Sequence, residues 1–315
     1  MTTGNDAIVG PVDALESPRF AGTGTFARLP GIDQVSHADV AIVGAPFDIS
    51  VTYRPGARFG PAHVRQASRM LRPYSPETEK TPFHSQQVVD AGDLSTNPFN
   101  IEDSVARMEA DAKNLFSRAS KFIAIGGDHT VSLPLLRAVH ANYGPVSLIH
   151  FDAHLDTFDT YYGERYTHGT PFRRATEEGL FVPHSSVHVG VRGPIAGPHN
   201  LKEDRELGFS VISAAEFETR AISEILDQVL DRTGDGPIYI SVDVDVLDPA
   251  FAPGTGTPEV GGLTSRELMA MLHTLCSDRV VSADVVEVSP PYDQSELTGI
   301  AASNIIYAIL GGMGS

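Results

Sequence analysis

Eight short apolar runs alternate along the chain with segments of helical periodicity. The runs are rich in Val and Ile, which is typical of strands buried on both faces of a sheet. Several intervening segments repeat apolar residues every three or four positions and so predict amphipathic helices. We therefore predict an α/β fold with a mostly parallel sheet of about eight strands, covered by helices on both faces. The predicted strands are residues 39–44, 87–91, 121–125, 145–151, 187–191, 209–212, 238–242 and 280–286, and the predicted helices are residues 62–71, 101–119, 133–143, 214–232, 264–276 and 297–310.

The predicted domain organisation is one large domain preceded by an irregular arm. A chain of 315 residues is long enough for two domains of about 150 residues each. However, the polar residues described below are spread from residue 129 to residue 287, and no linker separates them. We expect residues 1–37, which mix Gly, Pro, Ser and Thr, to form the arm, and residues 38–315 to form the domain.

Composition argues against several classes of partner. The formal net charge is −17, from 23 Lys and Arg against 40 Asp and Glu, and such a field repels nucleic acid and anionic membranes. No apolar window approaches the ~18 residues of a membrane span. Cys276 is the single cysteine, so neither an intramolecular disulfide nor a thiolate zinc site is expected. We expect a cytoplasmic protein without nucleic-acid or membrane partners.

The most informative motif follows the predicted strand 145–151, where Asp152, His154 and Asp156 lie at alternate positions. Residues two apart in an extended backbone point the same way, so these side chains are expected to converge. Two carboxylates that leave water must be paired, protonated or bound to a cation, and a divalent metal meets this need. The alternative is that the two aspartates cap a following helix and the histidine lies at the surface. This motif alone leaves both interpretations open.

Three further strands end in residues of similar chemistry. His129 follows the strand 121–125, Asp243 and Asp245 follow the strand 238–242, and Glu287 follows the strand 280–286. Each has a structural alternative, such as a helix cap or a turn. In a parallel sheet, however, ligands bind beyond the carboxyl ends of the strands, so coincidence at four strand ends favours one shared site.

The candidate metal ligands combine four carboxylates with two imidazoles and include no sulfur. That number suits two ions that share bridging carboxylates. Carboxylate-rich ligation favours Mn²⁺ over Zn²⁺, while the imidazoles keep Fe, Co and Ni open. The six residues are His129, Asp152, His154, Asp156, Asp243 and Asp245.

Five sequence motifs resemble the ureohydrolase family of arginases, agmatinases and other guanidino-compound hydrolases, most closely its agmatinases and guanidino-acid hydrolases. They are Gly-Gly-Asp-His at 126–129, Phe-Asp-Ala-His-Leu-Asp at 151–156, His-Gly-Thr-Pro-Phe at 168–172, Ser-Val-Asp-Val-Asp-Val-Leu-Asp-Pro at 241–249, and the Tyr-Arg-Pro-Gly-Ala-Arg loop within 52–58. The resemblance implies the three-layer α/β/α arginase-type fold and a two-manganese hydrolase acting on C–N bonds of linear amidines, which releases urea and an amine. It also implies a homo-oligomer, a trimer or a hexamer.

The resemblance further assigns roles to individual residues. Asp152 and Asp243 would bridge the two ions. His168 matches a histidine that shuttles protons, and Glu287 matches a carboxylate that holds the guanidinium. One manganese would take His129, Asp152, Asp156 and Asp243, and the other would take Asp152, His154, Asp243 and Asp245. His150 is expected to be a core residue or a neighbour of the ligands, because the ligand set is already filled.

The segment after Asp156 bears on the substrate. Arginases carry an Asn and Ser arrangement there, whereas residues 157–165 read Thr-Phe-Asp-Thr-Tyr-Tyr-Gly-Glu-Arg, which argues against L-arginine. The best single prediction is agmatine, giving putrescine, because its second positive end suits Asp159 or Glu164. The alternative is a guanidino acid such as 4-guanidinobutyrate or 3-guanidinopropionate, which would need Arg165, Arg173 or an arginine of the 52–58 loop. The substrate-binding candidates are Asp159, Tyr161 and Arg165.

Two other function classes fit the sequence less well. A nucleotide-binding module would use the glycines at 126–127 or 254–257, but neither stretch matches G-x-G-x-x-G or a phosphate loop with Lys and Ser/Thr. A deacetylase-like hydrolase with one zinc is disfavoured because all six ligands of a two-metal site are present.

Overall fold

The computed structural model describes residues 7–314, and its centre is one parallel sheet. The strands are β1 Ala38–Ala45, β2 Val88–Asp93, β3 Ala119–Gly126, β4 Ser147–Phe151, β5 Ser186–Val191, β6 Phe209–Ser213, β7 Ile238–Asp243 and β8 Val280–Val286. Their order across the sheet is β2-β1-β3-β8-β7-β4-β5-β6, and each neighbouring pair is parallel. The predicted eight-stranded sheet is confirmed.

Helices cover both faces of this sheet. The helices are α1 Gly60–Ala67, α2 Pro82–Ser85, α3 Ile101–Leu115, α4 Ser132–Tyr143, α5 Pro171–Glu177, α6 Pro198–Glu206, α7 Ile222–Thr233, α8 Ser265–Leu275 and α9 Leu297–Met313. Successive strand residues face opposite sides, so Ile42 packs in one core with α1, α7, α8 and α9. Ala41 and Val43 pack in the other core with α3, α4 and α5. The result is the three-layer α/β/α arrangement expected from the sequence.

The helix predictions were wrong for one predicted helix, and they missed three others. The predicted helix 214–232 is instead a short 3-10 turn at Ala214–Glu218 followed by α7, because Ala221 has an extended backbone. Helices α2, α5 and α6 were not predicted. All three begin with proline, a residue favoured in the first helical turn, but α2 has only four residues, and α6 reads PHNLKEDRE and lacks an apolar stripe.

The segment before β1 packs on the domain although it contains only 3-10 turns within residues 7–37. The side chains of Phe26 and Leu29 are buried in the core that α1 covers. The Phe26 N–H also donates to Asp90 Oδ2 at 2.6 Å. Within residues 7–314, no helix is both long and apolar enough to cross a membrane.

The strand order brings four chain segments together at one edge of the sheet. β3, β8, β7 and β4 are consecutive neighbours at the centre, and their carboxyl ends lead directly into the polar motifs found in the sequence. This edge is where parallel α/β sheets bind ligands.

Candidate active site

Three aspartates at this edge surround His129 Nδ1, and together with His129 we name them the first ligand set: His129, Asp152, Asp156 and Asp243. The nitrogen lies 3.2 Å from Asp152 Oδ2, 3.0 Å from Asp156 Oδ2 and 3.5 Å from Asp243 Oδ2. All four residues are buried, yet this nitrogen makes no hydrogen bond. A buried nitrogen without a hydrogen-bond partner and three carboxylates that converge on it suit a divalent cation.

A second ligand set shares Asp152 with the first and consists of Asp152, His154 and Asp245. His154 Nδ1 lies 3.2 Å from Asp152 Oδ1 and 3.1 Å from Asp245 Oδ2. The ligand atoms of these three residues lie within 4.8 Å of one another. Asp152 therefore presents Oδ2 to one set and Oδ1 to the other. The contacts place Asp243 in the first set, and its role as a second bridge stays a prediction.

The loop after β4 positions its three ligands by turning rather than by continuing the strand. β4 ends at Phe151, and Asp156 has the left-handed backbone conformation with φ 53°. The Asp152 carboxylate accepts a hydrogen bond from the His154 backbone N–H at 2.6 Å, which tightens the turn. The expected convergence is present, but the argument from an extended backbone was wrong for Asp156.

The aspartates at the end of β7 and in the turn that follows are held by backbone donors. Asp243 Oδ1 accepts from the Asp245 N–H at 2.8 Å, and Asp245 lies in a 3-10 turn at Val244–Val246. Asp245 Oδ1 accepts from the Ala153 N–H of the β4 loop at 3.1 Å. In each carboxylate one oxygen holds the backbone, which leaves Oδ2 to face a histidine nitrogen.

Buried polar side chains of β7 and β8 support His129 on the side away from the first ligand set. His129 Nε2 lies 2.8 Å from Ser241 Oγ, and that hydroxyl donates to Asp284 Oδ1 at 2.6 Å. The other oxygen of Asp284 accepts from the Tyr239 hydroxyl at 2.6 Å. This chain directs Nδ1 of His129 toward the first ligand set.

The carboxylates cannot all ionise comfortably without a cation. Burial, and then the charge of Asp152, raises the pKa of Asp245 to about 6. Burial and the charges of Asp245 and Asp152 hold the pKa of Asp243 well above its ordinary value. The pKa of Asp156 is raised by burial and by the charge of Asp152. Bound cations would remove this penalty.

His168 and Glu287 form a hydrogen-bonded pair beside the first ligand set. His168 Nδ1 lies 3.2 Å from Glu287 Oε1, which also accepts from the His129 N–H at 3.0 Å. Burial opposes protonation of His168, but the hydrogen bond and the charge of Glu287 outweigh it and raise the pKa to about 9. The Thr52 N–H donates to His168 Nε2 at 3.1 Å, so a second proton on the ring would displace this bond.

Comparison with known proteins agrees with this geometry. Residues 38–311 match the family model described as "Arginase family". The chain belongs to the arginase family. It is therefore a hydrolase that acts on the C–N bond of guanidino groups.

Three relatives are similar to this arginase-family member over nearly its whole length. The chain is 42% identical over 301 residues to a guanidinopropionase of Pseudomonas aeruginosa, covering 95% of this chain and 94% of the relative. It is 40% identical over 300 residues to a mitochondrial agmatinase of Gallus gallus, covering 95% of this chain and 88% of the relative. The solved structure of proclavaminate amidinohydrolase from Streptomyces clavuligerus has a TM-score of 0.90 and 40% identity, covering 95% and 99% of the two chains.

The three predicted substrate-binding residues have different surroundings in this arginase-family site. Asp159 accepts from Arg174 Nη2 at 2.6 Å, and Arg165 pairs with Glu177 at 2.9 Å; both side chains are largely exposed. Tyr161 is different. Burial raises the pKa of its phenol, and so does the charge of Asp156. Of the three candidates, Tyr161 is the one whose pKa is affected by the charge of a ligand-set residue.

The sequence analysis gave no role to several residues that support the site. Asp128, inside the 126–129 motif, is fully buried and accepts from Ser50 Oγ at 2.6 Å, which ties the loop carrying Thr52 to His129. Arg192 donates to the backbone oxygens of Asp245 at 2.6 Å and Glu259 at 2.7 Å. Only Asp128 had a sequence signal, its position directly before a predicted ligand.

Proposed function

We propose that this arginase-family hydrolase is a two-manganese enzyme. The observation that carries the proposal is the Asp152 carboxylate, whose two oxygens face two separate ligand sets. The ions would be held by the six predicted ligands, and this set of carboxylates and imidazoles suits Mn²⁺. Bound there, two such ions supply Lewis-acid chemistry, which lowers the pKa of water and makes hydroxide available near neutral pH.

The residues around the ligand sets would bind and orient a guanidinium. Glu287 is a carboxylate beside the ligand sets that belongs to neither of them, and its Oε1 accepts from the His129 N–H. Gly256 leaves room at Oε2, because a Cβ there would lie 3.5 Å from this oxygen. A planar guanidinium fits such a carboxylate through its N–H groups. We assign Glu287 to hold the substrate's guanidinium.

His168 would donate the proton that the leaving amine needs. Breaking the C–N bond expels an amine, which must be protonated as it leaves, and histidine is suited to this near neutral pH. His168 lies 3.2 Å from the carboxylate assigned to the guanidinium, so its ring is close to the bond that breaks. The products are urea and the amine.

For the substrate, we propose a guanidino acid, with agmatine as the second candidate. Asp159, proposed from the sequence to bind the ammonium of agmatine, is already paired with Arg174. Arg54 is an available cation. Its guanidinium lies 5.4 Å from the Tyr53 ring centroid and 5.1 Å from that of Tyr292, and no carboxylate within residues 7–314 pairs with it.

The position of Arg54 supports this assignment. A Cβ on Gly256 would lie 3.1 Å from the Arg54 carbonyl oxygen and 3.5 Å from Glu287 Oε2, so the Arg54 loop borders the proposed guanidinium site. An arginine without a carboxylate partner suits the carboxylate of a substrate. The relative named guanidinopropionase agrees with this class. The net charge of −17 and the relative named agmatinase favour agmatine as the second candidate.

A urea-release assay with Mn²⁺ tests the proposal. The substrates are 3-guanidinopropionate, 4-guanidinobutyrate, agmatine and L-arginine, and we expect a guanidino acid to give the highest kcat/KM. Arg54→Gln should raise KM for that acid by ~10-fold and leave KM for agmatine unchanged. Arg107→Gln, which alters a surface arginine paired with Asp103, is the matched control. A parent enzyme that prefers agmatine would overturn the guanidino-acid assignment.

The remaining expectations are also proposals. We propose that the protein acts in the cytoplasm as a homo-oligomer, a trimer or hexamer, without nucleic-acid or membrane partners. Residues 7–37 would form an arm and residues 38–314 the catalytic domain; the predicted arm and domain also include residues 1–6 and 315, which lie outside the described residues. Size-exclusion chromatography with light scattering tests the oligomeric state.

A further inference from the structure

A buried chain of hydrogen bonds runs from Asp152 away from the ligand sets. Asp152 Oδ2 lies 2.8 Å from His150 Nε2, and His150 Nδ1 lies 2.6 Å from His188 Nδ1. His188 Nε2 lies 3.2 Å from Asp204 Oδ1. All four residues are inaccessible to solvent. Four buried polar side chains in one line need a reason, because each is costly to bury without matched partners.

The sheet and one helix place these groups. His150 of β4 and His188 of β5 are directly paired in the parallel register, so their side chains lie on the same face. The His188 ring stacks on Phe209 of β6 at 4.5 Å between centroids. Asp204 comes from α6, the helix that lacks an apolar stripe. Its role in the fold is thus to bring a carboxylate to His188.

The donors and acceptors fix the direction of the chain. A carboxylate that serves as a metal ligand is an acceptor, so His150 Nε2 must donate to Asp152. The two Nδ1 atoms, 2.6 Å apart, share one proton, and a neutral imidazole that donates through Nε2 accepts through Nδ1. His188 Nδ1 must therefore be the donor to His150.

Asp204 is linked to the ligand loop by a second route. Its Oδ1 accepts from Thr157 Oγ1 at 2.8 Å, and Thr157 directly follows the ligand Asp156. The Asp204 carboxylate therefore contacts both the hydrogen-bond chain that ends at Asp152 and the loop that carries Asp156.

We propose that His188 and Asp204 are positioning residues of the metal centre, which hold His150 in the tautomer whose Nε2–H orients the Asp152 carboxylate. Because of this hydrogen bond, Oδ2 faces the first ligand set and Oδ1 faces the second. This inference rests on the proposed function, since it assumes that the two sets bind metal. Groups that orient metal ligands in this way commonly contribute 10–100-fold to metal affinity.

The test compares variants at position 188 in the full-length enzyme. His188→Leu removes the donor to His150, whereas His188→Gln keeps an amide N–H that can replace it. We expect His188→Leu to weaken Mn²⁺ binding by ~10-fold or more, and His188→Gln to bind within about threefold of the parent. Mn²⁺ affinity is measured by equilibrium dialysis with elemental analysis, and the thermal midpoint is measured after metal removal.

Phe209→Leu is the matched control. It removes the ring that stacks on His188 but no hydrogen bond, so it should lower the thermal midpoint of the metal-free protein and leave Mn²⁺ affinity within about twofold. If His188→Leu behaves like Phe209→Leu in both measurements, the chain is structural only and the inference is overturned. Should His188→Leu not fold, Asp204→Leu is the second variant, because it removes the carboxylate at the far end of the hydrogen-bond chain. Unchanged Mn²⁺ affinity in Asp204→Leu overturns the inference.

The parent enzyme separates this inference from the proposed function. If the parent binds no Mn²⁺ or releases no urea from any guanidino compound, the proposed function fails. If the parent binds two Mn²⁺ ions and releases urea, but His188→Leu binds Mn²⁺ as tightly, only the positioning role fails.

Discussion

Asp152 and Glu287 are both buried carboxylates at the site, but their surroundings give them different roles. Both oxygens of Asp152 face histidine nitrogens that have the spacing of ligands. Glu287 has a left-handed backbone with φ 65° and contacts a backbone N–H and His168. The first arrangement suits a shared metal ligand, and the second leaves a carboxylate for an organic cation. The difference can be tested with substitutions that keep the size of each side chain.

We expect Glu287→Gln to retain both manganese ions and to lose activity. The neutral amide keeps the shape of the side chain but removes the charge that pairs with the guanidinium, so orientation and electrostatic stabilisation are lost together. We expect kcat/KM to fall by ~100-fold or more for each guanidino substrate. Urea release and elemental analysis measure the two effects.

Asp152→Asn is the contrasting variant. It should lose most bound manganese as well as activity, because one carboxylate serves both ligand sets. Asp159→Asn, which alters an exposed carboxylate paired with Arg174, should keep the metal content of the parent. Full manganese occupancy in Asp152→Asn would contradict the assignment of the ligand sets.

At the scale of the elements, the loop after β3 depends on glycine for its path. Gly127 donates its N–H to the Ala45 oxygen at 2.8 Å, and the next residue, Asp128, donates to the Phe47 oxygen at 2.8 Å. A Cβ on Gly127 would clash with this Phe47 carbonyl, which is backbone and cannot move aside. The close approach of the two loops places His129 at the site.

Gly127→Ala should therefore destabilise the protein. Overpacking at a rigid position costs ~1–3 kcal/mol, so we expect a clear fall in the thermal midpoint, together with weaker Mn²⁺ binding because His129 shifts. Gly236→Ala is the control, since a Cβ there meets nothing within 4 Å. Equal thermal midpoints for the two variants would show that the loops are more adaptable than this packing indicates.

The strands and helices also show how far the fold and the site could be predicted from the sequence. Strands buried on both faces leave continuous Val and Ile runs, so all eight strands and the residues at their ends were predicted. Helix α6 has no apolar periodicity because its buried residues are Asn200 and Asp204, so it was missed together with the partner of His188. The pairing of Asp159 with Arg174 also leaves no local pattern, since the two residues are 15 positions apart.

The whole molecule is acidic, and the ligand sets add a buried cluster of aspartates whose ionisation is unfavourable. The net charge is −17, and the ligand sets gather four aspartates in a buried site. Within this cluster, burial and neighbouring charges raise the pKa of Asp245 to about 6 and hold that of Asp243 well above its ordinary value. The metal-free fold is therefore penalised for ionising these groups, and that penalty should appear in the pH dependence of stability.

Metal removal should make stability depend on pH with a definite sign. A carboxyl whose folded pKa is raised stabilises the fold fully below its unfolded pKa of 3.8, and this contribution is lost as the pH rises through about 6. In the metal-bound protein the same carboxylates are deprotonated ligands, and rising pH strengthens metal binding.

We therefore expect the thermal midpoint with Mn²⁺, minus the midpoint with EDTA, to increase between pH 4.5 and 7.5. Taking the difference cancels the acid effects of carboxylates elsewhere in the chain. Asp245→Asn should flatten the increase, because it removes one of the titrating groups and a metal ligand together; a parent difference that is constant over this range would show that the cluster does not bind metal through ionised aspartates.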